Sequence, residues 1–344
     1  MPALTAGQGR PVWRNREPAP RKRTGTPGLR QLAIRHNQTG ARPRTALTPT
    51  SANQSETYHA PDPLARRASY GADLCLWSAA SASESRIVEL NGVLNTRDLG
   101  GLQTEDGRSL RAGQIIRSGE IDAIDDAGKA TLDTMGISTV VDLRTTREAT
   151  EHPAEWPEGE GPARYNFPLM EQEAQEIEDM RVAIKSGTAR AEDTEALFYE
   201  AFATVPQNYA PDIRNLFNVL LAQPEAEAVL LHCSDGKDRT GIATALVLSA
   251  LGVTREDIEA DFLMSNVQKK ADSKAVEIAN QVNKANGTNM TPEAVWPSLG
   301  IRPDHLGTFY DSIAATHGSV AGYLHDALGL TEADIQSLRD RYLE

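Results

Sequence analysis

The clearest hydrophobic pattern lies in the second half of the chain. Residues 228–232 read Ala-Val-Leu-Leu-His, a short apolar run, and residues 242–251 form an apolar, Ala/Leu-rich stretch of good helix formers. The polar, glycine-containing segment between them predicts a strand, a tight loop and a helix over 228–251. Shorter alternations begin at Ile87. Residues 91–95 and 114–117 read as strands around the turns Gly100-Gly101 and Asp106-Gly107, and 125–132 as a helix capped by Asp122 or Asp125. The β-branched run 138–142 follows Gly136 and reads as a buried strand, with a further strand at 164–169. Helices are expected at 171–184, 194–203 and 213–222, and a mostly helical stretch from Asp257 to Glu344, broken at 287–303. Strands alternating with helices imply an α/β fold: a largely parallel central sheet flanked by helices, a helical C-terminal part, and a ligand site beyond the strand C-termini. No internal repeat is apparent.

Composition divides the chain. Residues 1–85 hold twelve Lys/Arg against five Asp/Glu, a net of +7, so with −13 overall residues 86–344 carry −20. The first segment is rich in Pro, Ser, Thr and Arg with little apolar periodicity, and is expected to be a disordered basic extension. Its Arg-rich, acid-poor character is shared with organelle transit peptides. A regulatory tail, an arm that samples nucleic acid or membranes, and a start codon placed upstream are the other readings. It has no apolar core of the secretory-signal kind. The expected location is the cytoplasm, with non-classical secretion or organelle targeting as alternatives. No run of about 18 apolar residues exists, so no stable membrane insertion is expected. The acidity of 86–344 argues against nucleic acid as a partner. The two cysteines, Cys75 and Cys233, make no disulfide framework; Cys75 falls in the extension and reads as incidental.

Candidate chemistry concentrates at His232-Cys233-Ser234-Asp235-Gly236-Lys237-Asp238-Arg239-Thr240-Gly241. A loop running into a helix N-terminus points N–H groups at a bound anion and favours thiolate over thiol, which makes Cys233 a candidate nucleophile. Arg239 brings a planar fork that matches two phosphoryl oxygens. Ser234, Asp235, Gly236, Lys237 and Thr240 are candidate phosphate- or substrate-binding positions. The bland alternative is a structural cysteine beside a surface charge cluster, for which the Cys-x5-Arg spacing has no use. The chain has no His-x-x-x-His or Cys-x-x-Cys, and neither a metal nor another cofactor is expected.

These residues resemble the signature His-Cys-x5-Arg-Ser/Thr of the cysteine-dependent protein tyrosine phosphatases. The ending Gly236-Lys237-Asp238-Arg239-Thr240-Gly241 is similar to a narrower group, the atypical bacterial tyrosine/lipid phosphatases of the mycobacterial type. Leu94-Asn95-Thr96-Arg97-Asp98, Ile115-Ile116-Arg117-Ser118-Gly119-Glu120, Val141-Asp142-Leu143-Arg144 through Glu148, and Gly318 to Leu324 resemble further blocks of that group. The resemblance implies a tyrosine-phosphatase-like fold over 86–344 and hydrolysis of phosphotyrosine through a phosphocysteine intermediate. Phosphoserine/threonine and phosphoinositides are additional candidate substrates, and a phosphorylated protein or phosphoinositide is the expected partner. It also implies Asp238 as general acid or organiser of the site, with Asp142 as second candidate for the acid or a structural strand end, His232 as a neighbour that positions the loop, and a helical lid at 171–203, for which a solvated hairpin is the alternative. Arg97 and Asp98 are expected either to buttress the site or to form a structural ion pair. Trp156-Pro157-Glu158 resembles the mobile acid loop of larger tyrosine phosphatases but reads as a turn. An inositol-phosphate phosphatase, a rhodanese-like sulfurtransferase and a non-catalytic phosphate-binding module are the competing functions. Oligomeric state is left open.

Overall fold

The structure is a computed structural model. Of the two units into which the chain divides, Met1–Tyr70 and Gly71–Glu344, only the second contains described residues, 86–154 and 161–344. The basic extension 1–85 with Cys75, and Trp156, Pro157 and Glu158, lie outside the described residues.

At the centre is β5, Ala228–His232, buried at every position. It lies between β2 (Ile115–Ser118) and β3 (Ile137–Asp142), parallel to both. β4 (Ala163–Asn166) adds parallel to β3, and β1 (Arg97–Asp98) antiparallel to β2, for an order β1-β2-β5-β3-β4. Strands covered on both faces have no polar side to present, which is why β5 and β3 read as near-continuous apolar runs rather than alternations. Ser118 and Asp142 both pair in register with His232, so β2, β5 and β3 end together and deliver their next residues to one edge.

Two faces cover this sheet. On one, α6 (Asp238–Leu251) is buried along almost its whole length among Leu231, Phe217 and Phe262. α5 (Ala210–Ala222), α7 (Arg255–Lys269), α10 (Pro303–His317), α11 (Val320–Asp326) and α12 (Glu332–Tyr342) supply further buried residues to that core. On the other, α1 (Asp126–Thr134) and the short α2 (Thr146–Glu151) follow their strands, and Ile116, Val140 and Leu230 pack with Leu132. The helices α3 (Ala174–Ser186), α4 (Ala191–Asn208), α8 (Ala271–Asn286) and α9 (Pro292–Leu299) enclose a third cluster that includes Met180, Ile184, Phe198 and Val295. No helix of the described residues is long and apolar enough to cross a membrane.

Three sequence expectations are displaced. Residues 91–95 form a turn instead of a strand: Gly92 takes φ +78°, Leu90 and Val93 bridge across it, and pairing waits for β1. The strand expected at 164–169 stops at Asn166, because Pro168 has no N–H to continue a ladder. The expected break at 287–303 contains α9, which opens on Pro292 and buries Ala294 and Val295.

Candidate active site

The loop leaving β5 is shaped from outside. Carbonyl oxygens of Asp235 and Gly236 accept from Asn95 Nδ2, both at 3.0 Å, Gly236 O also accepts from Arg117 Nη2 at 2.8 Å, and Ser234 O accepts from Glu120 N–H at 2.9 Å. In a trans peptide the carbonyl and the following N–H point in opposite directions. With three successive carbonyls drawn outward, the N–H groups of Asp235, Gly236 and Lys237 face into the ring, a nest for an anion at the N-terminus of α6. Gly236 makes the ring closable: its φ is +65°, and a Cβ there would stand 2.4 Å from Ser118 O.

Behind the loop lies a buried ionic hub. Asp261 on α7 takes Arg97 Nε at 3.0 Å, Arg117 Nη1 at 2.7 Å and Arg86 Nη1 at 3.0 Å, while Arg97 Nη1 donates to Asn95 Oδ1 at 2.6 Å. Burial alone would raise the Asp261 carboxyl, but Arg97 and Arg117 hold it well below the usual carboxylate range. Arg117 is pushed down to about 9 by burial and then by the Arg97 charge, and stays protonated at neutral pH. Arg97 therefore buttresses the loop through Asn95. Asp98 does not: its carboxylate accepts from Gly100 N–H at 2.9 Å and Gly113 N–H at 2.6 Å and ties down two turns.

Inside, Cys233 is 2 % exposed; its chain neighbour Ser234, together with Arg239, borders a cavity of about 350 Å3 that Glu120, Asp122, Glu148 and Ile177 also wall. Arg239 is clamped by Glu148, Nη1 to Oε2 at 2.5 Å and Nη2 to Oε1 at 3.2 Å, and Nη2 also donates to Ser234 Oγ at 3.0 Å. Ser234 Oγ in turn donates to Glu148 Oε1 at 2.9 Å. Burial works against the Arg239 charge, yet Cys233 and Glu148 hold its pKa above the ordinary arginine value. Glu148, opposed by burial, is held low chiefly by Arg239. Glu148 carried no assigned role in the sequence. Its readable trace was the capping box with Thr145, which anchors it at the start of α2.

The remaining candidates separate. Asp142 sits in a multiple contact with Arg144, Nε to Oδ1 at 3.0 Å and Nη2 to Oδ2 at 2.8 Å, and lines a different cavity of about 220 Å3 with His232. Burial pushes its carboxyl up, but His232 and Arg144 leave it below the ordinary value. His232 is buried, its pKa lowered by that burial, with Nδ1 3.3 Å from Cys233 O and Nε2 3.8 Å from Asp142 Oδ1. Lys237 was expected to meet substrate anions; it is 1 % exposed and tethers the loop to α9. Its Nζ reaches Asp238 Oδ2 at 2.8 Å and the Pro297 and Gly300 carbonyls at 3.2 and 3.4 Å, and lies over the Phe198 ring. Asp238, the first residue of α6, keeps 15 % of its side chain exposed beside that lysine. Asp235 turns out to Lys269 on α7, and burial notwithstanding its carboxyl is lowered by that cation. The Thr240 hydroxyl is fully buried with no protein hydrogen-bond partner.

A model of the tyrosine phosphatase family matches residues 88–344. The chain is 33% identical over 274 residues to the triple specificity protein phosphatase PtpB of Mycobacterium tuberculosis, an alignment covering 73% of this chain and 97% of that protein. It is 32% identical over 270 residues to a putative tyrosine-protein phosphatase of Cupriavidus necator, covering 77% and 92%. The crystal structure of TpbA from P. aeruginosa aligns with 60% of this chain and 89% of its own at 12% identity and a TM-score of 0.26, too slight a likeness to bear on the fold.

Proposed function

The chain belongs to the tyrosine phosphatase family, and we propose that it hydrolyses phosphotyrosine through a covalent phosphocysteine on Cys233. It is a phosphatase; the route and the substrate range are the proposal. The observation that carries it is the loop itself: a buried cysteine at its start, carbonyls drawn outward so that the following N–H groups turn in, and Arg239 held in fixed orientation at a cavity that Ser234 also lines. The Cys233 thiolate forms an S–P bond as the tyrosyl O–P bond breaks, the electron pair leaving on the phenolic oxygen. Arg239 and the loop N–H groups take the charge that builds on the non-bridging oxygens. Asp238 gives its proton to the leaving oxygen. Water then forms a new P–O bond, loses its proton to the Asp238 carboxylate, and the S–P bond breaks to return thiolate and inorganic phosphate.

Asp238 is favoured over Asp142 on its place in the chain beside Arg239, although neither carboxylate lines the cavity that Arg239 borders. Asp142 is held by Arg144 in a separate cavity, whereas Asp238 is adjacent in sequence to Arg239, partly open, and oriented by Lys237. The name of the mycobacterial relative gives it triple specificity, which supports more than one class of phosphoester; phosphoserine/threonine and phosphoinositides are the further classes proposed for this chain. The decisive experiment is acid-quenched turnover followed by mass spectrometry of the Cys233 peptide. A phosphate adduct on Cys233, absent in Cys233→Ala together with turnover, is the expected result. Undiminished phosphate release by Cys233→Ala refutes the mechanism.

A further inference from the structure

The helical insertion has two faces with different employment. Met180 and Ile184 of α3 are buried in the third cluster with Ala275, Ala279 and Val295, which pins the helix in place. Ala174, Ile177, Glu178 and Arg181, spaced i, i+3, i+4 and i+7, lie along one stripe and line the cavity over Ser234 and Arg239. Arg181 ties this stripe to the loop, its Nη2 3.7 Å from the Glu148 Oε1 that accepts from Ser234 Oγ. Among the described residues that line the cavity, the apolar side chains are Ala174 and Ile177, both from α3. Ile177 is half-buried, packs against both the main and the third cluster, and turns its remaining surface to the cavity.

A phosphate anchored by Arg239 and the loop leaves the group that carries it to lie in this cavity. We propose that the Ala174–Ile177 face of α3 is the substrate-selecting wall of the site, and that Ile177 is the specificity-determining residue, taking the ring of an aryl phosphate such as phosphotyrosine. This rests on the phosphatase reading above. An aromatic ring gains from apolar contact, whereas phosphoserine has no ring to offer and an inositol phosphate would set hydroxyls against aliphatic carbon, where they lose water without gaining a partner. Apart from the single methyl of Ala174 the rest of the wall is polar, so the discrimination falls on Ile177.

Two measurements on the full chain test it. In the wild type, phenylphosphonate is expected to inhibit p-nitrophenyl phosphate turnover about tenfold more tightly than methylphosphonate, the scale of a few buried carbons; equal inhibition overturns the inference. In Ile177→Ala the ratio of kcat/KM for phosphotyrosine over phosphoserine, in one peptide sequence, is expected to fall about tenfold. An unchanged ratio overturns it: with equal losses on both peptides Ile177 only packs, and with no loss on either the wall does not select. Should Ile177→Ala fail to fold, the phosphonate comparison still decides. A wild type that releases phosphate from none of these esters refutes the phosphatase reading itself, while release without ring preference refutes only the role of α3.

Discussion

Asp261→Asn tests whether the loop is held open from behind. The carboxylate is 1 % exposed and takes three arginines, two of which, Arg97 and Arg117, are fully buried. Removing one partner of a buried ion pair costs about 3–5 kcal/mol, because the other charge stays buried without compensation. The lower end applies here: the Asn side chain still offers one acceptor, and Arg97 Nη2 keeps its bond to the main-chain oxygen of residue 261 at 2.7 Å. At about 3 kcal/mol, a domain of this size loses roughly 6–12 °C in melting midpoint, measurable by scanning calorimetry at pH 7 and fixed salt. Function falls with it, since Arg117 bonds Asp261 and the Gly236 carbonyl together, and Arg97 bonds Asn95, which holds the Gly236 carbonyl and the preceding one, Asp235. Loosening those carbonyls lets the N–H groups of the ring wander, so kcat/KM measured well below the new midpoint is expected to drop about ten- to a hundredfold. A midpoint within about 2 °C of wild type together with unchanged turnover refutes the reasoning, because it means the arginines do not depend on this carboxylate.

Three further outcomes follow from the geometry. Gly236→Ala places a Cβ 2.4 Å from Ser118 O at a φ of +65°, so the ring must deform, and the variant is expected to lose phosphate inhibition and turnover together; wild-type inhibition by phosphate contradicts this. His305 is fully buried beside Phe198, Tyr199 and Phe202, and burial pushes its pKa down from 6.5 to about 4. The unfolded chain therefore binds this proton first: the contribution is complete above pH 6.5 and is lost as pH falls toward 4, on the order of 3 kcal/mol in urea unfolding, with a flatter slope in His305→Phe; a wild type level across that window refutes it. If Asp238 protonates the leaving group, Asp238→Asn slows an alkyl phosphate far more than p-nitrophenyl phosphate, whose phenolate leaves unaided, while Asp142→Asn slows both alike; leaving-group sensitivity in Asp142→Asn alone moves the acid to the end of β3.

How much of the fold was legible depended on how local its cause was. β5, the loop and α6 were readable because one apolar run, one glycine and one stretch of helix formers each determine their own conformation, and the parallel sheet followed from the alternation of strands and helices. A cap for α1 was visible to within two candidates, Asp122 and Asp125, and the structure selects Asp125, whose side chain accepts from Gly128 N–H three residues on. α9 was missed because its eight residues hold two prolines and lie between glycines, so composition alone reads as a break. What makes it a helix is a face that exists only after folding, Ala294 and Val295 buried against α3, α4 and α8.

The site divides in the same way. Cys233, Arg239 and Gly236 are tied by spacing within one loop, but the residues that orient them arrive from far along the chain: Glu148 is 91 residues from Arg239, and Asp261 is 164 from Arg97. No periodicity encodes such pairs, and each of these acids looks like one more charge in an acidic domain. Lys237 shows the converse failure. Inside a phosphate loop a lysine reads as an anion ligand, yet its aliphatic stem is long enough to turn away and bury against Phe198 while its ammonium finds four oxygens of three residues at 3.4 Å or less. Of the two, the one that meets the cavity is Arg239, and it can do so because Glu148 fixes its plane: a guanidinium presents several N–H groups in a rigid fork, so it can be held on one edge and still offer another. A lysine has one point of charge and cannot be both anchored and available, which is why the two basic residues of the same loop part company.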